Sequence, residues 1–254
     1  MFNLKIKEIE ALLNSRTDIS EELAVKLLND QRVSVQKLYA KYLKRREQEQ
    51  AEKARVFKLY EFETSAQFVG RRVAGVDEAG RGPLAGPVYA AAVILPPGKF
   101  IADLNDSKKL SAKKREEIAE VIKTCAIAWG IGYATVEEIE KLNILYASHL
   151  AMERALAALQ VKPDHVLVDG SICPRFNLPV TPIVDGDASC ACIAAASILA
   201  KTARDRAMVK LAEEYPQYGF DKHKGYGTRE HYEAIKKYGI TPIHRLSFLQ
   251  KKPV

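Results

Sequence analysis

The sequence predicts an α/β domain built on a mixed sheet, preceded by a helical segment with its own periodicity. Three observations carry that prediction. From Lys5 to Tyr60 there is no Gly and no Pro, and apolar residues recur at helical spacing: Leu4, Ile6, Ile9, Leu12 and Leu13, then Ile19, Leu23, Val25, Leu27 and Leu28. Beyond Val73, short strand-like runs alternate with helical stretches, and the early pair of strands followed by strand–helix units points to a mixed sheet. A composition of 47% hydrophobic and 28% charged residues over 254 positions suits a globular chain and excludes disorder or a fibre as the main state.

Taken in order, the first sixty residues read as two short helices and one longer, charge-rich helix, with Ser20 placed to open the second. The pattern breaks over residues 62–72, which sets the expected boundary: a helical N-terminal extension over 1–70 and the main α/β domain, with a C-terminal helical part, over 71–254. Strands are expected at 73–77, 88–95, 126–133 and 165–169, and helices at 111–123, 144–159, 189–214 and 229–237. The longest apolar stretch, residues 190–200, is broken by Ser197 and falls short of the roughly 18 residues a membrane span needs. The N-terminus alternates acids and bases where a signal peptide needs an apolar core, so a cytoplasmic location and no membrane partner are expected. Cys125, Cys173, Cys190 and Cys192 lack metal-site or redox-motif spacing and read as reduced, mostly buried thiols. The net charge of +7 favours a polyanionic partner without identifying one.

The chemistry concentrates at strand ends. Gly75-Val76-Asp77-Glu78 runs into Ala79-Gly80-Arg81-Gly82-Pro83, two adjacent carboxylates followed by a glycine-rich loop whose backbone can approach a ligand closely. A solvated turn uses the same residue types. Adjacent acids at a strand end repel unless a cation joins them, which favours a site. Asp169 ends a second strand, although Asp-Gly there also makes an ordinary turn. Asp187 precedes the apolar helix, where it or Ser189 would equally serve as an N-cap. Together Asp77, Glu78, Asp169 and Asp187 offer the all-oxygen donors that hard divalent ions prefer. Ser111 opens a helix whose first turn carries Lys113, Lys114 and Arg115, where the helix dipole prefers acids; with Lys108 and Lys109 these form either an anion-binding patch or a solvated face. Tyr226, among glycines and bases, suits stacking on a sugar or base and equally suits anchoring a loop.

Read in order, Asp77-Glu78-Ala79-Gly80-Arg81-Gly82, Asp106-Ser107-Lys108-Lys109-Leu110, Val168-Asp169-Gly170, Gly186-Asp187 before Ile193-Ala194-Ala195-Ala196-Ser197-Ile198, and Gly225-Tyr226-Gly227-Thr228 resemble the bacterial ribonuclease HII family, the type 2 ribonucleases H, across about residues 71–248. The resemblance implies an RNase H-like fold with a mixed five-stranded sheet and flanking helices. It also implies Mg²⁺- or Mn²⁺-dependent cleavage, by a monomer, of RNA in RNA–DNA hybrids and of single ribonucleotides embedded in duplex DNA, leaving 5′-phosphate and 3′-hydroxyl ends. Carried over residue by residue, Asp77, Glu78, Asp169 and Asp187 become the metal-binding and catalytic carboxylates. Gly80, Arg81 and Gly82 read the ribose 2′-hydroxyl, Tyr226 packs on the neighbouring deoxyribose, and Lys108 and Lys109 meet phosphates. Asp185 stands where the family usually has a basic residue, and residues 1–70 lie outside the matched core.

Overall fold

A computed structural model of the chain describes residues 4–15, 18–171 and 174–249; Cys173 lies outside them. By its internal contacts the chain separates into two units, Met1–Arg55 and Val56–Val254. The first consists of α1 (Ile6–Ser15), α2 (Glu21–Leu28) and most of α3 (Val33–Leu59), closed around Ile9, Leu13, Leu27, Val35 and Tyr42. Ser20 caps α2 as expected, accepting the Leu23 N–H at 3.3 Å. The basic run Lys44-Arg45-Arg46 is largely consumed inside this unit: Arg45 Nη2 donates to the Leu13 carbonyl, and Arg46 pairs with Asp18 and Glu49.

The second unit is the α/β domain. In chain order it contains β1 (Val73–Ala79), β2 (Val88–Ile94), α4 (Ala112–Cys125), β3 (Ala128–Ala134), α5 (Val136–Ala157), β4 (His165–Asp169), β5 (Val180–Ile183), α6 (Gly186–Ser189), α7 (Ala191–Glu214), α8 (Phe220–His223), α9 (Arg229–Tyr238) and α10 (Leu246–Leu249). The strands form one sheet in the order β3-β2-β1-β4-β5; β1–β2 and β2–β3 are antiparallel, while β1–β4 and β4–β5 are parallel. The expected mixed five-stranded sheet with flanking helices is therefore present.

Side-chain alternation along β2 splits the core into two layers. Ala91 and Val93 face Ile118, Ile122, Ala194 and Ile198 of α4 and α7, whereas Ala90, Ala92 and Ile94 face Ala147, Ala151, Met152 and Ala155 of α5. The alanine-rich start of α7 lies directly on β1. A Cβ at Gly75 would come within 2.2 Å of the Cys192 carbonyl carbon, so only glycine permits that approach. No helix among the described residues is long and apolar enough to cross a membrane.

Three elements depart from the expected boundaries. β5 is absent from the sequence-derived strands because it is short, half-buried and contains Pro182; a proline is tolerated there because β5 is an edge strand. α5 starts at Val136, behind a Thr135–Glu138 capping box, and is interrupted at Asn143, where φ is 66°. The Asn143 side-chain oxygen accepts the N–H groups of Leu145 and Tyr146, so the start expected at 144 is an internal cap. The single helix expected over 189–214 is broken at Cys190, whose extended backbone separates α6 from α7.

Candidate active site and metal centre

Parallel pairing of β1 with β4 aligns Val76 with Val168, so the next residues, Asp77 and Asp169, emerge side by side at the carboxyl end of the sheet. α6 then adds Asp187 from the other direction. Asp169 Oδ1 accepts the Gly186 N–H at 2.7 Å, which ties the start of α6 to the end of β4. One carboxylate oxygen from each of Asp77, Asp169 and Asp187 lies within 4.8 Å of the others. The alternative of Asp187 or Ser189 as the N-cap of the long helix is overturned: Cys190 holds that position, without a side-chain cap, and frees Asp187 for the cluster. Glu78, next to Asp77, is ion-paired with Arg81 at 3.3 Å.

These acids are not ordinary surface carboxylates. Asp77 is 5% and Asp187 6% exposed. Burial, reinforced by the charges of Glu78 and Asp169, pushes Asp77 well above the usual carboxylate range; hydrogen bonds from Ser197 and the Glu78 N–H work against the rise. Burial also raises Glu78, with Arg81 opposing, and raises Asp187, with Lys108 opposing. The Lys108 ammonium lies 3.1 Å from Asp187 Oδ2. Lys109 is exposed on the same short turn, which Asp106 caps by accepting the Lys108 N–H. Ser107, the serine of that segment, is hydrogen-bonded through its hydroxyl to Ser197 at 2.9 Å, so the turn is held against α7. Several buried carboxylates with few nearby cations favour either retained protons or bound cations, and an all-oxygen donor set fits Mg²⁺ or Mn²⁺.

The glycine loop is tied from behind by two arginines that nothing in the sequence singles out. Arg204 and Arg245 are both fully buried. Arg245 donates to the carbonyls of Gly80 at 2.7 Å, Arg81 at 3.0 Å and Gly86 at 2.9 Å. Arg204 donates to Pro87 and Ala85. Gly80 has φ of 99°, and a Cβ there would lie 1.9 Å from Arg204 Nε, so the loop's backbone path and the arginine's position depend on each other. A buried arginine is hard to read from sequence because its residue type predicts exposure.

Tyr226 is 45% exposed and borders this loop: a Cβ on Gly82 would lie 3.7 Å from its Cε1. Its segment is anchored by the Leu84 N–H donating to the Gly225 carbonyl and by His231 Nδ1 within 2.9 Å of the Tyr226 carbonyl oxygen. Burial lowers the His231 pKa to about 4, which keeps the seat of the tyrosine uncharged at neutral pH. Thus the structure brings Asp77, Asp169 and Asp187 together, with Glu78, Arg81 and Lys108 paired around them, and Gly82 beside Tyr226.

Comparison with known proteins agrees with this architecture. The Ribonuclease HII family profile matches residues 74–251, and the Ribonuclease HII N-terminal domain profile matches residues 5–67. The chain is 58% identical over 198 residues to the ribonuclease HII of Moorella thermoacetica, covering 78% of this chain and 96% of that protein. It is 48% identical over 244 residues to the ribonuclease HII of Geobacillus thermodenitrificans, covering 96% and 94% respectively. The crystal structure of ribonuclease H2 from Pyrococcus horikoshii superposes with a TM-score of 0.58 at 28% identity, covering 69% of this chain and 93% of the other. With one profile matching the α/β domain, a second matching the N-terminal segment, and near-full-length relatives at this identity, the chain belongs to the ribonuclease HII family, type 2 ribonucleases H that hydrolyse RNA in RNA–DNA hybrids.

Proposed function

We propose that the chain cuts duplex DNA at single embedded ribonucleotides as well as the RNA strand of longer hybrids, leaving 5′-phosphate and 3′-hydroxyl ends. The observation that carries this reading is the convergence of Asp77, Asp169 and Asp187 at the sheet edge. The proximity of the Gly80-Arg81-Gly82 loop to Tyr226 adds a substrate-reading surface. Asp77, Glu78, Asp169 and Asp187 would hold Mg²⁺ or Mn²⁺. Such ions, when bound, stabilise the attacking and leaving oxygens of an in-line phosphoryl displacement.

The remaining work falls to this chain's own groups. Arg204 and Arg245 fix the carbonyl side of the glycine loop, so its backbone is preorganised to meet one ribose 2′-hydroxyl, the group that separates RNA from DNA. Tyr226 offers an exposed ring face to the neighbouring deoxyribose. Lys108 and Lys109 supply positive charge for adjacent phosphates. A loop that reads one sugar needs only one ribonucleotide, which is the basis for the single-site activity.

The test is cleavage of a duplex carrying one ribonucleotide, with Mg²⁺ or Mn²⁺, followed by analysis of the product ends. Cleavage there, with none on an all-DNA duplex, is expected. A requirement for several consecutive ribonucleotides would overturn the single-site reading while leaving hybrid cleavage intact.

A further inference from the structure

A second cluster of ligating side chains sits at the first turn of α7, within the same α/β unit. The sulfurs of Cys190 and Cys192 are 3.5 Å apart, and Cys190 Sγ lies 3.8 Å from Glu63 Oε2. Glu63 Oε2 also accepts the Cys192 N–H at 3.2 Å. Both cysteines are fully buried, among Phe62, Phe68, Val73, Leu167 and Ile193. Glu63 Oε1 is buried and has no hydrogen-bond partner.

A proton alone satisfies this carboxyl poorly. Oε2 faces a backbone N–H and a thiol, both donors, so a proton there would oppose them. On Oε1 the proton would have no acceptor. Left ionised, Glu63 carries a charge with one buried oxygen, whose hydrogen-bonding neighbours among the described residues are the two cysteines, and burial raises it to about 7. A cation that binds sulfur and oxygen resolves all three difficulties.

We infer that Glu63, Cys190 and Cys192 form a binding site for a soft divalent cation, with zinc the ion of matching chemistry, distinct from the oxygen-lined centre of Asp77, Asp169 and Asp187. Two thiolates on tetrahedral zinc, each at about 2.3 Å, stand roughly 3.8 Å apart, close to the 3.5 Å found here. Thiolate donors select zinc over Mg²⁺, whereas the aspartates favour the hard ion. Binding releases the two thiol protons to solvent and leaves one coordination position for water. Glu63 also lines a surface cleft with Thr64, Phe68, Arg72 and Val73. Because Cys190 is the break between α6 and α7, an ion here would clamp the segment before β1 to the joint that carries Asp187.

The experiment titrates the reduced full-length chain with Co²⁺ as a zinc surrogate, with Mg²⁺ in large excess to occupy the aspartate centre. One equivalent of Co²⁺ is expected to produce a thiolate-to-cobalt charge-transfer band that Zn²⁺ bleaches and further Mg²⁺ does not. A Cys125→Ser, Cys173→Ser variant should keep the band, and Glu63→Gln should weaken Co²⁺ binding by roughly tenfold or more. Zinc-edge X-ray absorption on the unmodified chain should find two sulfur neighbours, a readout that needs no variant to fold. Absence of the band, absence of sulfur neighbours, or loss of the band in the Cys125→Ser, Cys173→Ser variant while it remains folded would each overturn the site.

Discussion

Two clusters of potential ligands lie near the α6–α7 break, and their surroundings differ in kind. Asp77, Asp169 and Asp187 sit at strand ends and beside Lys108, close to a backbone loop that presents glycines. Glu63, Cys190 and Cys192 sit among phenylalanines and aliphatics. The contrast teaches that burial alone does not define an active site. The aspartate cluster is bordered by groups able to meet a polyanion, whereas the glutamate–cysteine cluster holds its donor atoms against an apolar wall.

The largest expected effect separates the two directly. Asp77→Asn or Asp169→Asn should lower cleavage by on the order of 10³ or more, because several kcal/mol of charge stabilisation are lost, while hybrid binding measured without divalent ions is retained. Glu63→Gln should leave kcat within about threefold. If Glu63→Gln were as damaging as Asp77→Asn in steady-state assays, the two clusters would be working as one.

Next in size is the support of the glycine loop. Arg245→Met strands the carbonyls of Gly80, Arg81 and Gly86, and should cost about 3 kcal/mol or more in urea unfolding. It should also reduce kcat/KM on single-ribonucleotide duplexes. A variant of unchanged stability would mean that the loop keeps its path without the guanidinium.

A smaller effect is expected at Tyr226. Replacement by Ala should remove roughly 1–3 kcal/mol of substrate interaction, by analogy with aromatic stacking on nucleic acid, and replacement by Phe should retain most activity. The loss should be greater at an RNA–DNA junction than inside a long hybrid. Equal losses on both substrates would assign the ring to loop packing instead.

The smallest effect is a slope. A carboxyl whose native pKa is raised binds its proton more tightly when folded, so it favours folding at low pH, and that contribution is lost as pH rises from about 4 through the native value. In metal-free protein, Asp77 and Glu63 both act in this sense, Glu63 up to about 7. Burial of His231, which holds it at about 4, acts in the opposite sense below its ordinary value, so the carboxyl contribution is read as the difference between denaturation profiles with and without added ion. Mg²⁺ should flatten the aspartate part, and Zn²⁺ the part that disappears in Glu63→Gln. If Mg²⁺ alone removes the whole slope, the soft site contributes nothing.

Much of this organisation was legible in the chain, for identifiable reasons. Asp77 and Asp169 end strongly apolar runs, and helix starts at Ser20 and Ser111 follow from side chains that accept a backbone N–H. What escaped was tertiary. Pro182 disguises β5, whose place at the sheet edge is set by β4 and not by its own sequence. Arg204 and Arg245 act on carbonyls more than a hundred residues away in the chain, and no local spacing reports such a contact. The Cys190–Cys192 pair becomes notable only when Glu63, distant in sequence, arrives beside it. Conversely, the arginines of the 44–46 run look like a free basic patch until Leu13, Asp18 and Glu49 are seen to engage them.

The parallel ladder between β1 and β4 also makes the aspartate cluster a matter of counting. Because alternate residues of a strand face opposite sides, deleting or inserting one residue within β1 or β4 would turn Asp77 or Asp169 away from its partner while preserving overall composition. Length changes in the connections between these strands carry no such penalty, since loop closure costs grow slowly with length. Natural insertions and engineered fusions should therefore accumulate in the intervening turns, and the two strands should resist any change in residue number even where substitutions are accepted.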